Sequence, residues 1–262
     1  MPDNRGNPDV TVTPIAADRL RQDGGMDANR LGLLAFGDSI TNGGGELQWG
    51  VALQSWALWT ARALGLAFTS FAVDGARVED VVERQLPAAR GWNAHPDGRY
   101  DLGALHIGAN DVRAPDWDAD AYAAHLPTVV DDLAERCDRV VLLTIPLDLG
   151  RPRPDRARID IANAAIERDA RRVGAMIVDL RGFRGRRVLM PDHVHPTAFG
   201  QIAIAERVLD AMGAAGTPVL VPPSELITYE TTWTGRLRGD ATYAYRHAKV
   251  SARTLRHHLL PR

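Results

Sequence analysis

The stretch Leu31-Gly-Leu-Leu-Ala-Phe-Gly-Asp-Ser-Ile-Thr-Asn-Gly-Gly-Gly45 decides how this chain is read. Leu33 to Phe36 form a short apolar run without alternation, as expected of a strand buried on both faces of a parallel sheet. The run stops at Gly37-Asp38-Ser39, and a glycine-rich segment leads to a helical pattern from near Ser55. A serine where a buried strand opens into a loop faces the crevice at the carboxyl ends of the strands, where open α/β sheets bind ligands. Ser39 is therefore a candidate nucleophile, and the chain must supply an imidazole beside it.

Working outward, strand-like and helix-like patterns alternate. The run Leu31–Phe36 precedes a helix over Ser55–Leu64, and Phe68–Val73 precedes one over Val78–Gln85. Leu102–Ile107 leads to a helix over Ala119–Arg136, Val140–Ile145 to Arg156–Val173, and Met176–Leu180 to Ala198–Met212. In the helix at 119–136, Tyr122, Leu126, Val129, Val130 and Leu133 recur at three- and four-residue spacing and make one apolar stripe. Asp118 or Asp120 suits its N-cap, and Gly174 suits the C-terminal cap of the helix before it. Five strand-then-helix repeats with right-handed crossovers predict a three-layer α/β/α sandwich. Its five-stranded parallel sheet should have the flavodoxin-like order 2-1-3-4-5, with the first strand beside the switch point.

This core is expected over residues 30–216, after a lead-in at 1–29 rich in Asp, Asn, Gly and Pro. From Thr217 to Arg262 the composition changes. Seven bases and three acids give this tail a charge of +4, so the −2 of the whole chain leaves −6 for the rest. Ile227, Tyr229, Thr231 and Trp233 alternate like a short extended segment. From Asp240, Ala241, Tyr245, Ala248, Ala252, Leu255 and Leu259 place a narrow apolar seam on a basic helix. That helix, over 240–260, suits packing on its own domain, a second subunit, an acidic protein partner, or an anionic membrane or nucleic-acid surface.

The 262 residues, 45% hydrophobic and 24% charged, are enough for a full core. A near-neutral balance argues against wholesale nucleic-acid binding. Cys137 is the only cysteine, so no internal disulfide forms. No run approaches the roughly 18 apolar residues of a transmembrane helix. With no signal-like N-terminus, a cytoplasmic location is expected.

Acyl transfer by a serine needs a base in contact, a group that orients the base, and donors for the oxyanion. Candidates sit after predicted strands: Ser39, Gly75, Gly108-Ala-Asn110-Asp111, and Asp192-His193-Val194-His195-Pro196. Each alone has a plainer reading, as a turn residue, a cap or a surface histidine. No Gly-Lys-Ser/Thr follows the glycine-rich loop and no G-x-G-x-x-G occurs, which disfavours nucleotide binding. Asp192, His193 and His195 lack a second ligand cluster at a recognisable spacing, so no metal and no cofactor are expected. His106 reads as a core histidine with its ring nitrogens satisfied; Asp38 and Asp111 read as acceptors for loop backbone.

Four blocks in order, Gly37-Asp38-Ser39-Ile40-Thr41, Ala72-Val73-Asp74-Gly75-Ala76, Gly108-Ala109-Asn110-Asp111 and Asp192-His193-Val194-His195-Pro196, resemble the GDSL or SGNH hydrolases over residues 31–213. The resemblance implies the SGNH hydrolase fold, with Ser39 as nucleophile, His195 as general base and then acid, and Asp192 as its orienting carboxylate. It also implies an oxyanion hole made by the N–H groups of Ser39 and Gly75 and the side-chain amide of Asn110. Ser70 departs from the asparagine many relatives have before the second block, and Gly43-Gly44-Gly45 is an unusually loose run after the nucleophile.

Specificity should come from loops around the serine. Gly43–Gln54 contributes Trp49, and Gly91–Arg99 contributes Trp92 and His95. Pro146–Asp160 brings Asp148, Arg151, Arg153, Arg156 and Arg158, an arginine cluster suited to a carboxylate, phosphate or sugar acid. His193 would stand at the pocket wall. The expected activity is hydrolysis of a small or carbohydrate-like carboxylic ester through an acyl-enzyme. An acyltransferase on the same machinery, and a binding protein using the basic tail, are the rivals.

Overall fold

A computed structural model describes residues 30–44, 54–92, 98–150 and 153–226, and near the C-terminus 233–234, 237, 240–241, 244–249 and 251–252. Strands β1 (Leu33–Gly37), β2 (Phe68–Ser70), β3 (Leu102–His106), β4 (Val140–Leu143) and β5 (Met176–Val178) form one parallel sheet in the order β2-β1-β3-β4-β5. The predicted order holds, and the chain reverses direction across the sheet only once, after β2. Leu33, Leu34, Ala35 and Phe36 are fully buried, which is why β1 carries no polar alternation.

Helix α1 (Ser39–Asn42) leaves β1 at once, and α2 (Trp56–Ala63) returns the chain to β2. A short α3 (Val78–Asp80) passes through a π-helical turn (Val81–Gln85) into α4 (Leu86–Trp92). Then come α5 (Ala109–Arg113), α6 (Ala119–Arg136), α7 (Arg156–Val173) and α8 (Ala198–Ala214). Helices α2 and α8 pack together, while α6 packs against α7 and against the π-helical turn. With right-handed crossovers these two groups cover opposite faces, giving three layers. The Tyr122, Leu126, Val129, Val130 and Leu133 stripe of α6 is buried as its spacing predicts, and Asp118 caps the helix by accepting from the Asp120 and Ala121 N–H groups. Gly174, at φ 71°, ends α7.

The helix expected at Val78–Gln85 runs on to Trp92. Trp92 is exposed and ends a helix whose Ala89 carbonyl and Arg90 side chain bind Arg136 and Asp132, on the last turns of α6 that lead into the amino end of β4. It is therefore far from the carboxyl-end crevice, contrary to the expectation that its loop borders the serine. Trp233 and Thr234 are helical rather than extended; Ile227, Tyr229, Thr231, Leu255 and Leu259 lie outside the described residues. Helical residues follow from Asp240, as the spacing predicts, but the Tyr245 side of the seam is 69% exposed. Asp240 pairs with Arg186 at 3.4 Å, and the His247 ring lies 6.4 Å from that of His193. No described helix is long and apolar enough to cross a membrane.

Buried amides fasten the strand ends that carry the site. Gln85 accepts from the Gly37 N–H at 3.0 Å and donates to the Gly37 carbonyl at 2.8 Å. Gln201, on α8, accepts from the Trp56 N–H at 2.8 Å and donates to the Ile40 carbonyl at 3.0 Å. Asn163 clamps the Ile145 N–H and carbonyl after β4 in the same way. Each amide satisfies backbone groups that leave the ladder while still buried.

Candidate active site

Gly37 pairs with His106 across β1 and β3, so the first and third sequence blocks leave the sheet side by side. Asp38 accepts from the Ile40 N–H at 2.9 Å, capping α1 and setting Ser39 in its first turn. Ser39 Oγ lies 2.9 Å from His195 Nε2, and His195 Nδ1 lies 2.7 Å from Asp192 Oδ2. The other oxygen of Asp192 accepts from the N–H groups of Val194 at 2.9 Å and His195 at 3.0 Å, which closes the turn that presents the imidazole. Thr197 then caps α8 by accepting from the Gly200 N–H at 3.0 Å. The three residues expected to form a triad are thus one continuous hydrogen-bonded chain.

The electrostatics follow from that chain. The hydrogen bond to Asp192 raises the His195 pKa above its ordinary 6.5, against the lowering effect of burial and of the Arg113 charge. Burial pushes Asp192 upward, but the hydrogen bonds from His195 and the two backbone N–H groups outweigh it and hold the carboxylate below its usual range.

Gly75 sits at φ 78°, a conformation that favours glycine, and a Cβ there would meet nothing within 4 Å. The N–H groups of Ser39 and Gly75 have no hydrogen-bond acceptor among the described residues. Asn110 donates one amide hydrogen to the Ala76 carbonyl at 3.0 Å, which ties the third block to the second and leaves its other hydrogen uncommitted. Ser70, the departure noted above, supports its loop by accepting from the Ala72 N–H at 3.3 Å.

Trp49 and Arg151 lie outside the described residues. His193 stands beside the triad with its Nδ1 3.1 Å from Asp148 Oδ2, and it is the one non-glycine residue at positive φ (58°) among those described. Its carbonyl accepts from the Gly150 N–H at 3.0 Å, so the loop after β4 is tied to the imidazole turn at two points. Arg153 pairs with Asp148 at 3.2 Å, Arg156 with Asp160 at 2.9 Å, and Arg158 donates to the Ala114 carbonyl at 2.9 Å. The described members of the expected arginine cluster therefore serve the chain's own acceptors.

Beneath the site, His106 is fully buried as expected but, contrary to the expectation, neither ring nitrogen has a hydrogen-bond partner among the described residues; its Nδ1 is 3.6 Å from Asp38 Oδ1. Asp111 accepts from the Val78 N–H at 3.1 Å, as its reading as a backbone acceptor predicts. Gln85, Gln201 and Arg113 were not singled out for roles in the site by sequence. A polar residue on a helix face is ordinary until the strand end it serves is known. Among the described residues no group of three His, Cys, Asp or Glu side chains is placed to hold a metal ion.

Among curated proteins none is significantly similar in sequence. Solved structures match the chain in fold. The fold matches an acetylxylan esterase from Geobacillus stearothermophilus at 22% identity and a TM-score of 0.55, covering 70% of this chain and 94% of that one. An alpha/beta hydrolase enzyme from the metagenome of Lake Arreo, Spain, matches at 27% identity, with the same TM-score of 0.55 and the same 70% and 94% coverage. Residues 35–203, which hold all four blocks, match the model of the GDSL-like lipase/acylhydrolase family. The chain belongs to that family and is a carboxylic ester hydrolase.

Proposed function

We propose that the chain hydrolyses esters of small acyl groups, on a carbohydrate-like alcohol, through a covalent acyl-Ser39 intermediate. The observation that carries this reading is the unbroken Ser39–His195–Asp192 hydrogen-bond chain at 2.9 and 2.7 Å. The acetylxylan esterase among the structural neighbours supports a short acyl group on a sugar.

In the first half-reaction the Ser39 oxygen attacks the ester carbonyl carbon while its proton passes to His195 Nε2. Asp192 holds the Nδ1–H tautomer and stabilises the imidazolium that forms. The negative charge on the former carbonyl oxygen is met by the Ser39 and Gly75 N–H groups and the free Asn110 amide hydrogen. When the C–O bond to the alcohol breaks, His195 returns its proton to the departing oxygen. A water molecule then repeats the sequence on the acyl-enzyme, releasing the acid and restoring Ser39.

The test is hydrolysis of p-nitrophenyl acetate by the wild type and Ser39→Ala. The substitution is expected to lower kcat on the order of 10⁴-fold or more. Circular dichroism should be unchanged, and labelling by a fluorophosphonate should vanish. Comparable turnover in the variant would remove Ser39 from the chemistry.

A further inference from the structure

Arg113 closes α5, three residues after Asn110. It is exposed, and its side chain makes no hydrogen bond and no ion pair among the described residues. Three carboxylates on the segments nearest to it in the chain and across from Gly150 have partners of their own. Asp148 is held by His193 and Arg153, Asp192 by His195 and two backbone N–H groups, and Asp116 by both terminal nitrogens of Arg77 at 3.0 Å.

Its place is fixed by a missing side chain on the facing loop. Gly150 has φ 73°, and a Cβ there would lie 2.8 Å from Val194 Cγ2, 3.1 Å from the Asp192 carbonyl oxygen and 3.2 Å from Arg113 Nη2. The guanidinium therefore reaches the turn that carries His195, through a gap that any larger residue at 150 would fill. The Arg158 hydrogen bond to the Ala114 carbonyl pins the end of α5 from which Arg113 projects. Its charge is felt at His195, where it opposes Asp192 and Asp38. A planar, permanently charged fork, held on a helix within reach of the turn that carries His195 and without an ion-pair partner among the described residues, is suited to bidentate recognition of a carboxylate.

We propose that Arg113 is a substrate-recognition residue, and that the preferred ester carries a carboxylate which this guanidinium binds while the ester carbonyl sits at Ser39. The proposal rests on the Ser39 hydrolase reading, and it names the substrate's charge, which the fold does not. It also moves anion recognition from the arginines after β4, whose described members Arg153, Arg156 and Arg158 bind the chain's own acceptors, to the end of the helix bearing Asn110.

The experiment compares anionic and neutral esters that differ only in the carboxylate. One pair places it in the acyl part (p-nitrophenyl hemisuccinate against its methyl ester). The other places it in the leaving group (4-acetoxybenzoate against methyl 4-acetoxybenzoate). In at least one pair the wild type should favour the anionic member in kcat/KM, and that ratio should fall about 10- to 100-fold in Arg113→Gln, the cost expected for losing a charge-assisted hydrogen-bonded pair. Arg113→Lys should keep part of the preference, and added salt should weaken it in the wild type. Calorimetric titration with succinate gives a readout independent of turnover, and the affinity should drop about tenfold or more in Arg113→Gln. Failure of the wild type to cleave any of the four esters would count against the Ser39 reading, while succinate binding would still judge Arg113. Ratios and succinate affinity that are the same in Arg113→Gln as in the wild type would overturn the proposal.

Discussion

Asp111 lies next to the oxyanion donor Asn110 and is 7% exposed. One carboxylate oxygen accepts from the Val78 N–H, and the other, Oδ2, is buried without a partner. Burial is the main reason its pKa rises from 3.8 to about 6; the Val78 hydrogen bond and the Arg77 charge pull the other way. A carboxyl that holds its proton more tightly when folded stabilises the fold fully below the unfolded pKa, and that contribution is lost as pH rises through the folded value. Two units at about 1.4 kcal/mol each make the native state about 3 kcal/mol less stable above pH 6 than below pH 4 on this group's account. Asp111→Asn keeps the acceptor for Val78 and removes the charge. An unpaired amide hydrogen takes back about 1 kcal/mol, leaving a net gain of about 2 kcal/mol near neutral pH. Urea unfolding at about pH 4 and about pH 7 is the assay, and the wild type should lose stability between them relative to the variant. At neutral pH the variant should melt roughly 4–8 °C higher. Parallel stability profiles for the two proteins would show that Asp111 titrates normally, and the argument from its burial would fail.

Five other outcomes follow from the same geometry. Because His195 must be neutral to accept the Ser39 proton and its pKa is raised, kcat/KM should climb with pH through an apparent pKa above 6.5. Asp192→Asn should move that limb to lower pH and cut kcat on the order of 10⁴-fold, with an unmoved limb contradicting the pairing. Asn110→Ala should cost about 100- to 1,000-fold in kcat with little change in KM, as expected for a donor used mainly in the transition state. Gly150→Ala, at φ 73° and against Val194, should destabilise by more than about 1 kcal/mol and lower kcat/KM as the imidazole turn shifts; wild-type unfolding and kinetics would refute the close approach. Gln201→Leu leaves the buried Ile40 carbonyl and Trp56 N–H unpaired, so urea unfolding should report a loss of about 2–5 kcal/mol.

The sheet order was legible because buried parallel strands appear as uninterrupted apolar runs, and Leu33–Phe36 and Val140–Leu143 are such runs in the folded chain. The meeting of Ser39, Asp192 and His195 was legible only through the four sequence blocks, since no local spacing links two residues 156 positions apart. The loop residues were less readable. Trp92 looked like a pocket aromatic because sequence does not tell at which end of the sheet a loop emerges. The arginines at 153, 156 and 158 looked free because their partners Asp148, Asp160 and the Ala114 carbonyl become neighbours only on folding. Arg113 was passed over for the complementary reason: what distinguishes it is the acids around it being occupied by others.

The Gln201 amide has a bearing on when the protein becomes chemically competent. It joins the turn after β1 to the helix that directly follows His195, so nucleophile and base are aligned by a bond from the final crossover as well as by their own contact. Closing so long a span is among the costlier steps in chain entropy, and its reward comes only once α8 has docked on α2. A partly folded chain, even with β1 to β4 in place, would be silent towards esters. Recovery of hydrolysis during refolding would therefore time the arrival of the last helix and nothing earlier.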